Sequence, residues 1–225
     1  EDGSTIQLGV GNIPNAVASE LKHKKHLGIH TEMFTETMVD LIECGAVDNT
    51  QKGFMNGYSV CSFTLGSQRL YDYINNNPCV LFKSATFSND PYTIAKNNKF
   101  VSVNATLEID LTGQCASETV GNLQWSGTGG ATDFAYGAYH AKGGKGIIAI
   151  NATPKHGTIS RIFPQLKPGA AVSIFLNIVD YLVTEYGIAK LRGKTIAQRV
   201  EELINIAAPE FREELRKQAR ELKLR

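Results

Sequence analysis

Residues 5–34 read TIQLGVGNIPNAVASELKHKKHLGIHTEMF, and the fold follows from how this stretch is parsed. Thr5-Ile6-Gln7-Leu8 reads as a buried strand that runs into a glycine turn, Gly9-Val10-Gly11-Asn12-Ile13-Pro14. Asn15 to His26 has helical spacing, and Leu27 to Phe34 is a second short apolar strand with Glu32 near its end. Strand, glycine turn, helix and strand make a βαβ unit. In such a unit the turn after the first strand and the tip of the second lie at the same sheet edge. The spacing therefore predicts that the Gly9–Pro14 backbone and the Glu32 carboxylate approach one crevice.

Further along the chain, strands and helices intermix to the end. Helices are predicted over 36–43, 68–76, 91–96, 133–141, 195–206 and from Pro209 onward. Strands are predicted over 58–65, 80–82, 100–103, 105–111 and 146–151, and near 158–163, 170–175 and 180–184. Cys115 to Val120 is expected to pair back as a hairpin through Thr112-Gly113-Gln114. Residues 48–57 read as a polar loop. The charges of Glu210, Arg212, Glu213, Glu214, Arg216, Lys217, Arg220 and Glu221 read as a solvated helix face. The fold class is α/β, a mixed β-sheet flanked by helices in Rossmann-like layers, with residues 1–225 as one domain.

Composition narrows the function classes. The formal net charge of +1 over 225 residues provides no global field for nucleic acid or a membrane surface. No apolar run reaches the roughly 18 residues of a spanning helix. The four cysteines, Cys44, Cys61, Cys79 and Cys115, are dispersed without a CxxC pair. They read as reduced, buried thiols in a cytoplasmic protein, with no zinc site and no metal. The chain starts without Met and almost directly on a strand, which suggests a fragment of a longer protein.

Three features carry candidate chemistry. The first turn lacks the third glycine of the dinucleotide fingerprint and any Gly-Lys-Ser/Thr. It can still bring backbone N–H groups close to an anion, and it also fits a plain tight turn. Glu32 ends an apolar strand, where a carboxylate needs a partner or a purpose. His30 shares its strand face, as a second polar group of the site or as a structural histidine. Gly127-Thr128-Gly129-Gly130 precedes a helix and can supply an N–H to an oxyanion, with Asp133 as a candidate helix cap. Two glycine turns and one strand-end carboxylate suggest acyl transfer through a covalent carboxylate.

Four motifs together resemble the acetyl-CoA hydrolase/transferase family. They are Leu-Gly-Val-Gly-Asn-Ile-Pro (8–14), Leu-Gly-Ile-His-Thr-Glu-Met-Phe (27–34), Gly-Thr-Gly-Gly-Ala-Thr-Asp-Phe (127–134) and Val-Asp-Tyr-Leu-Val-Thr-Glu-Tyr-Gly-Ile-Ala (179–189). The chain looks most like the C-terminal half of 4-hydroxybutyrate and butyrate:acetate CoA-transferases, of class I. The resemblance implies that Glu32 is the nucleophile and forms a glutamyl-CoA thioester. It implies that Gly9, Val10, Gly11, Asn12 and Ile13 line the coenzyme A site. Gly130 matches a backbone amide near the thioester, Leu107 a backbone contact to coenzyme A, and Lys155 a lysine near its tail. Tyr136 and Leu176 depart from the pattern, standing where many relatives carry a basic side chain. The implied reaction moves CoA between an acyl-CoA and a short-chain carboxylic acid. The implied partners are the missing N-terminal half and a second copy, in a homodimer or higher. An acyl-CoA hydrolase and a catalytically incomplete CoA-binding module fit the same residues.

Overall fold

The computed structural model describes residues 1–154 and 157–224. The expected α/β class with a mixed sheet is what the chain adopts, in two compact units. One unit holds Glu1–Asn104 and Asp133–Gly146, and the other holds Ala105–Thr132 and Ile147–Arg225.

The first unit is built around β1 (Thr5–Leu8), every residue of which is buried. It lies between two parallel neighbours, β2 (Gly28–Ile29) and β7 (Phe100–Ala105). A parallel strand covered on both faces reads as a continuous run rather than an alternation, which is why Thr5–Leu8 is legible. The βαβ connection runs through α1 (Asn12–Glu20). This helix starts at Asn12 rather than Asn15, with Pro14 in the first turn, where its missing N–H has no partner to lose. It stops well short of His26. Leu21 N–H closes onto Ala18 O at 3.0 Å, and His26 has φ 57°, which a right-handed helix cannot continue.

Leu27–Phe34 is not one strand. β2 stays beside β1, the chain bends at Glu32, and β3 (Met33–Phe34) pairs in parallel with another strand. Residues 58–65 divide in the same way, into β4 (Ser59–Cys61) and β5 (Phe63–Thr64), and β5 is the partner of β3. The two breaks fasten to each other, because Glu32 O accepts from Ser62 N–H at 2.8 Å and Phe63 N–H at 3.2 Å. Between them lies α2 (Glu36–Glu43), as its spacing predicts. Next come α3 (Gln68–Ile74), β6 (Val80–Phe82, parallel to β4), the short α4 (Ala85–Ser88) that no periodicity announces, and α5 (Pro91–Ile94). Asp90 caps α5 by accepting from the N–H groups of Tyr92 and Thr93. Helix α6 (Ala131–His140) packs Phe134 and Ala138 against Ile94 and Phe100.

The loop over 48–57 is polar in sequence but not all solvated. Lys52 is fully buried, and its Nζ donates to Ile29 O at 2.9 Å and Tyr58 O at 2.6 Å. Burial lowers its pKa to about 7. The cysteines also split. Cys61 and Cys115 are buried, whereas Cys44 and Cys79 are exposed at a helix end and a turn.

In the second unit, β8 (Glu108–Asp110) pairs antiparallel with β9 (Cys115–Ala116), the first part of the predicted hairpin. Residues 119–120 do not continue it. They form β10 (Thr119–Val120) and pair with β11 (Leu123–Gln124). Asp110 organises the turn, its Oδ1 accepting from the N–H groups of Thr112 (2.9 Å), Gly113 (3.1 Å) and Gln114 (3.1 Å). Removing it orphans several half-buried donors at once. Asp110→Ala is therefore expected to destabilise the protein by about 2 kcal/mol in denaturant titrations, and a loss under about 0.5 kcal/mol would contradict this role.

β12 (Lys145–Ala149) pairs in parallel with β14 (Tyr181–Thr184), and β15 (Gly187–Lys190) adds to β14 antiparallel. β13 (Ile162–Phe163) joins β8. The strand predicted near 170–175 is only an isolated bridge, Cys115 to Ile174. That segment is instead held by irregular bonds, including the buried Arg199 guanidinium on Leu176 O at 2.6 Å. Helix α7 (Ile196–Asn205) carries a capping box of Thr195 and Gln198. Helix α8 (Arg212–Glu221) buries Leu215 and Ala219 and leaves most of its charges solvated, as read from the sequence.

Candidate active site

Glu32 sits half-buried at the bend between β2 and β3. Its Oε1 accepts a hydrogen bond from Asn89 Nδ2 at 3.0 Å. Asn89 closes α4, its own N–H bonded to Ala85 O at 2.9 Å. Its side-chain oxygen faces Ser88 Oγ at 2.9 Å, so the amide has one orientation, oxygen to Ser88 and NH2 to Glu32. Ser88 Oγ also meets Ser62 Oγ. Asp133 lies in the first turn of α6, not at a cap as its sequence position suggests. Its carboxyl is pushed up by burial first, and then by the negative charges of Glu32 and Asp90.

His30 does not face the site. It is fully buried, with the rings of Phe100 and Phe134 edge-on at 6.2 and 6.5 Å. Its Nε2 lies 2.8 Å from Ser88 O, a group that can only accept, so Nε2 carries the proton. Nδ1 then accepts from Asn97 Nδ2 at 3.4 Å. Burial holds the imidazole neutral, with a pKa lowered to about 4. The unfolded chain therefore takes up this proton first as pH falls. Stability is unaffected above about pH 6.5 and is lost on acidification towards pH 4, by roughly 3 kcal/mol once pH lies below both values. Urea titrations of wild type and His30→Gln between pH 7 and 4 check this, since the variant is expected to lack that part of the acid loss.

The glycine turn lies at the C-terminal end of β1. Gly9 N–H donates to Val103 O at 2.8 Å, and a Cβ at Gly9 would come within 2.7 Å of Asn104 Oδ1. That oxygen is fixed by the reciprocal amide pair of Gln7 and Asn104, at 3.0 and 3.1 Å. Gly11 has φ 125° with open space where a Cβ would be, which lets other groups approach its backbone. Val10 is exposed, and Ile13 is half-buried in the first turn of α1, which begins at Asn12. A cavity of about 190 Å³ is lined by Val10, Gly11, Asn15, Met33, Thr35 and Leu65. The first turn and the residue after Glu32 thus meet around one cavity.

In the second unit, Leu107 lines a cavity of about 150 Å³ with Val120, Arg161, Phe163 and Lys167. Glu108, which is buried, pairs there with Lys167 at 2.6 Å. Gly130 is buried immediately before α6. Tyr136 stacks on Tyr139 and contacts His140, and Leu176 serves Arg199 through its carbonyl. Lys155 lies outside the described residues. Among the described residues, no three His, Cys, Asp or Glu side chains group as metal ligands, and no helix is long and apolar enough to cross a membrane.

Residues 66–219 match the family model of the acetyl-CoA hydrolase/transferase C-terminal domain. The chain belongs to the acetyl-CoA hydrolase/transferase family. Within it, the chain is similar to the succinyl-CoA:cyclohexane-1-carboxylate CoA transferase of Geobacter metallireducens, 54% identical over 99% of this chain and 51% of that protein. It is also similar to the 4-hydroxybutyrate coenzyme A transferase of Clostridium kluyveri, 50% identical over 96% of this chain and 50% of that protein. Among solved structures it is similar to RipA from Yersinia pestis, 42% identical, with a TM-score of 0.95 over 100% of this chain and 51% of that one. The chain thus spans about half the length of the curated relatives it matches. Asn89, which donates to Glu32 Oε1, and Ser88, which donates to Asn89 Oδ1, are not conspicuous in sequence. Asn89-Asp90-Pro91 reads there only as a helix start.

Proposed function

We propose that this chain is the C-terminal half of a CoA-transferase that exchanges CoA between an acyl-CoA and a short-chain carboxylic acid. The observation that carries the reading is the Glu32 carboxylate, with one oxygen held by Asn89, at a bend whose next residue lines the cavity of the first glycine turn. Similarity to CoA-transferases at 50 and 54% identity supports the same reaction class.

In the proposed cycle a Glu32 oxygen attacks the acyl carbonyl and expels the CoA thiolate, leaving an acyl–glutamyl anhydride. The thiolate then attacks the glutamyl carbonyl and releases the first carboxylate, leaving a glutamyl-CoA thioester. The acceptor acid reverses both steps and departs as its CoA ester. Each attack passes through a tetrahedral oxyanion, and the Gly130 N–H is the donor proposed for it. Gly9, Val10, Gly11, Asn12 and Ile13 are proposed to line the coenzyme A site, with Leu107 and Lys155 towards its tail. Binding of that long tail offsets the cost of forming the reactive anhydride.

The preceding half of the enzyme and assembly to a dimer or higher are part of the proposal, as is a reducing cytoplasmic setting, which the free thiols of Cys61 and Cys115 favour. Initial rates test it. With acyl-CoA and carboxylate varied together, parallel double-reciprocal lines are expected. Turnover that proceeds equally without any carboxylate contradicts transfer and favours hydrolysis.

A further inference from the structure

We propose that His30 is a positioning residue for the Glu32 nucleophile, acting through Ser88 and Asn89. The inference rests on the assignment of Glu32 above and extends it to a buried side chain that never meets substrate.

Asn89 is carried by weak local structure. It sits between two helices of four residues each, α4 and α5, and Ser88 is the only buried residue of α4. The place of the Asn89 amide is therefore set by how Ser88 is seated. Two neighbours seat it. His30 Nε2–H holds the Ser88 carbonyl at 2.8 Å, and Ser62 holds the Ser88 hydroxyl. With Ser62 Oγ–H donating to Ser88 Oγ, the Ser88 proton is directed to Asn89 Oδ1 at 2.9 Å rather than to Ser84 O at 3.4 Å. That bond keeps the amide from turning its oxygen towards the carboxylate, where two acceptors would face each other.

The anchor itself is rigid. The imidazole meets the stacked pair of Phe100 and Phe134 edge-on, and its second nitrogen accepts from Asn97, whose NH2 also donates to Ile94 O at 3.0 Å. His30 and Glu32 also belong to one segment, two positions apart on either side of buried Thr31. One short stretch thus bears the nucleophile and, through Ser88 and Asn89, the clamp on that nucleophile. A carboxylate that must first attack an acyl carbonyl and then present its own glutamyl carbonyl to the thiolate needs a fixed orientation, and a displacement of about 1 Å costs on the order of 10²-fold in rate.

The test uses the chain together with its N-terminal half, and reads both steady-state constants and the rate at which Glu32 becomes a borohydride-reducible thioester. His30→Leu removes both ring nitrogens and is expected to lower kcat about 10²-fold, with KM for acyl-CoA within about threefold of wild type. His30→Gln, which can still donate to Ser88 O, is expected to recover most of that loss. Ser88→Ala, which keeps the ring and its bond to the Ser88 carbonyl, tests the hydroxyl link to Asn89 and is expected to lower kcat about tenfold. If His30→Leu does not fold, His30→Asn carries the test. Its amide is one methylene shorter than that of His30→Gln, and a larger kcat loss than that of His30→Gln is expected. The decisive reading is a double-mutant cycle. In an Asn89→Leu background, Ser88→Ala and His30→Leu are expected to cost less than about threefold more, because the clamp they serve is gone. Full losses that multiply with Asn89→Leu, or thioester formation at the wild-type rate in the single variants, overturn the inference. Wild-type enzyme that never forms the thioester overturns the assignment of Glu32, and this inference with it.

Discussion

Glu32→Gln is expected to lower CoA exchange by at least about 10⁴-fold while leaving the fold and acyl-CoA binding intact. The amide nearly matches the carboxylate in shape. Its oxygen can still accept from Asn89 Nδ2, and the backbone carbonyl of residue 32 still accepts from Ser62 and Phe63. What it lacks is the charged oxygen that forms the anhydride. Glu32→Asp keeps the charge but withdraws it by one methylene, and a loss of about 10²-fold is expected from misplacement alone. Steady-state rates together with calorimetric binding of acyl-CoA separate these cases. A Glu32→Gln variant within about tenfold of wild type contradicts a nucleophilic role.

Phe134→Ala is expected to cost the largest stability loss of any single truncation near the site, about 3–5 kcal/mol in chemical denaturation. Phe134 is fully buried and belongs to one cluster with Ile94, Phe100, Ala138 and Ala141. Its ring stacks on Phe100 at 6.3 Å and meets the edge of His30 at 6.5 Å. The deletion therefore opens a cavity against the imidazole as well as within the core. Water entering that cavity relieves the burial that holds His30 near pKa 4, so its titration is expected to move up towards the ordinary histidine range. NMR titration of the His30 ring reads this second effect independently of stability. A loss under about 1.5 kcal/mol contradicts the packing account.

The parts of the fold that were legible share a physical reason. β1 is buried on both faces, so Thr5–Leu8 stands out as a run, and Gly9 to Pro14 marks its end. α2 keeps a clear apolar stripe of Met38, Val39 and Leu41. The breaks were not legible. β3 and β5 are two residues each, and what divides them from β2 and β4 is mutual pairing, which no local pattern encodes. The burial of Lys52 is invisible in sequence, because a polar residue in a polar stretch gives no sign that two carbonyls wait for it. The candidate site divides likewise. Glu32 is visible as a carboxylate at the end of an apolar run. Its clamp is not, because Ser88 and Asn89 sit far along the chain in a segment whose only signal is the Asp90-Pro91 helix start. Two glycine turns and Glu32 point to acyl transfer through a carboxylate, and the four motifs taken together tie it to coenzyme A.

The proposed exchange passes through a covalent bond to one side chain. The complete enzyme, incubated with acyl-CoA, reduced with borohydride, digested and mapped by mass spectrometry, is expected to show reduction at Glu32 in the peptide that spans the β2–β3 bend. The same treatment of Glu32→Gln is expected to show none. An unmodified Glu32 in enzyme that is turning over, or an adduct at another residue, would contradict the account.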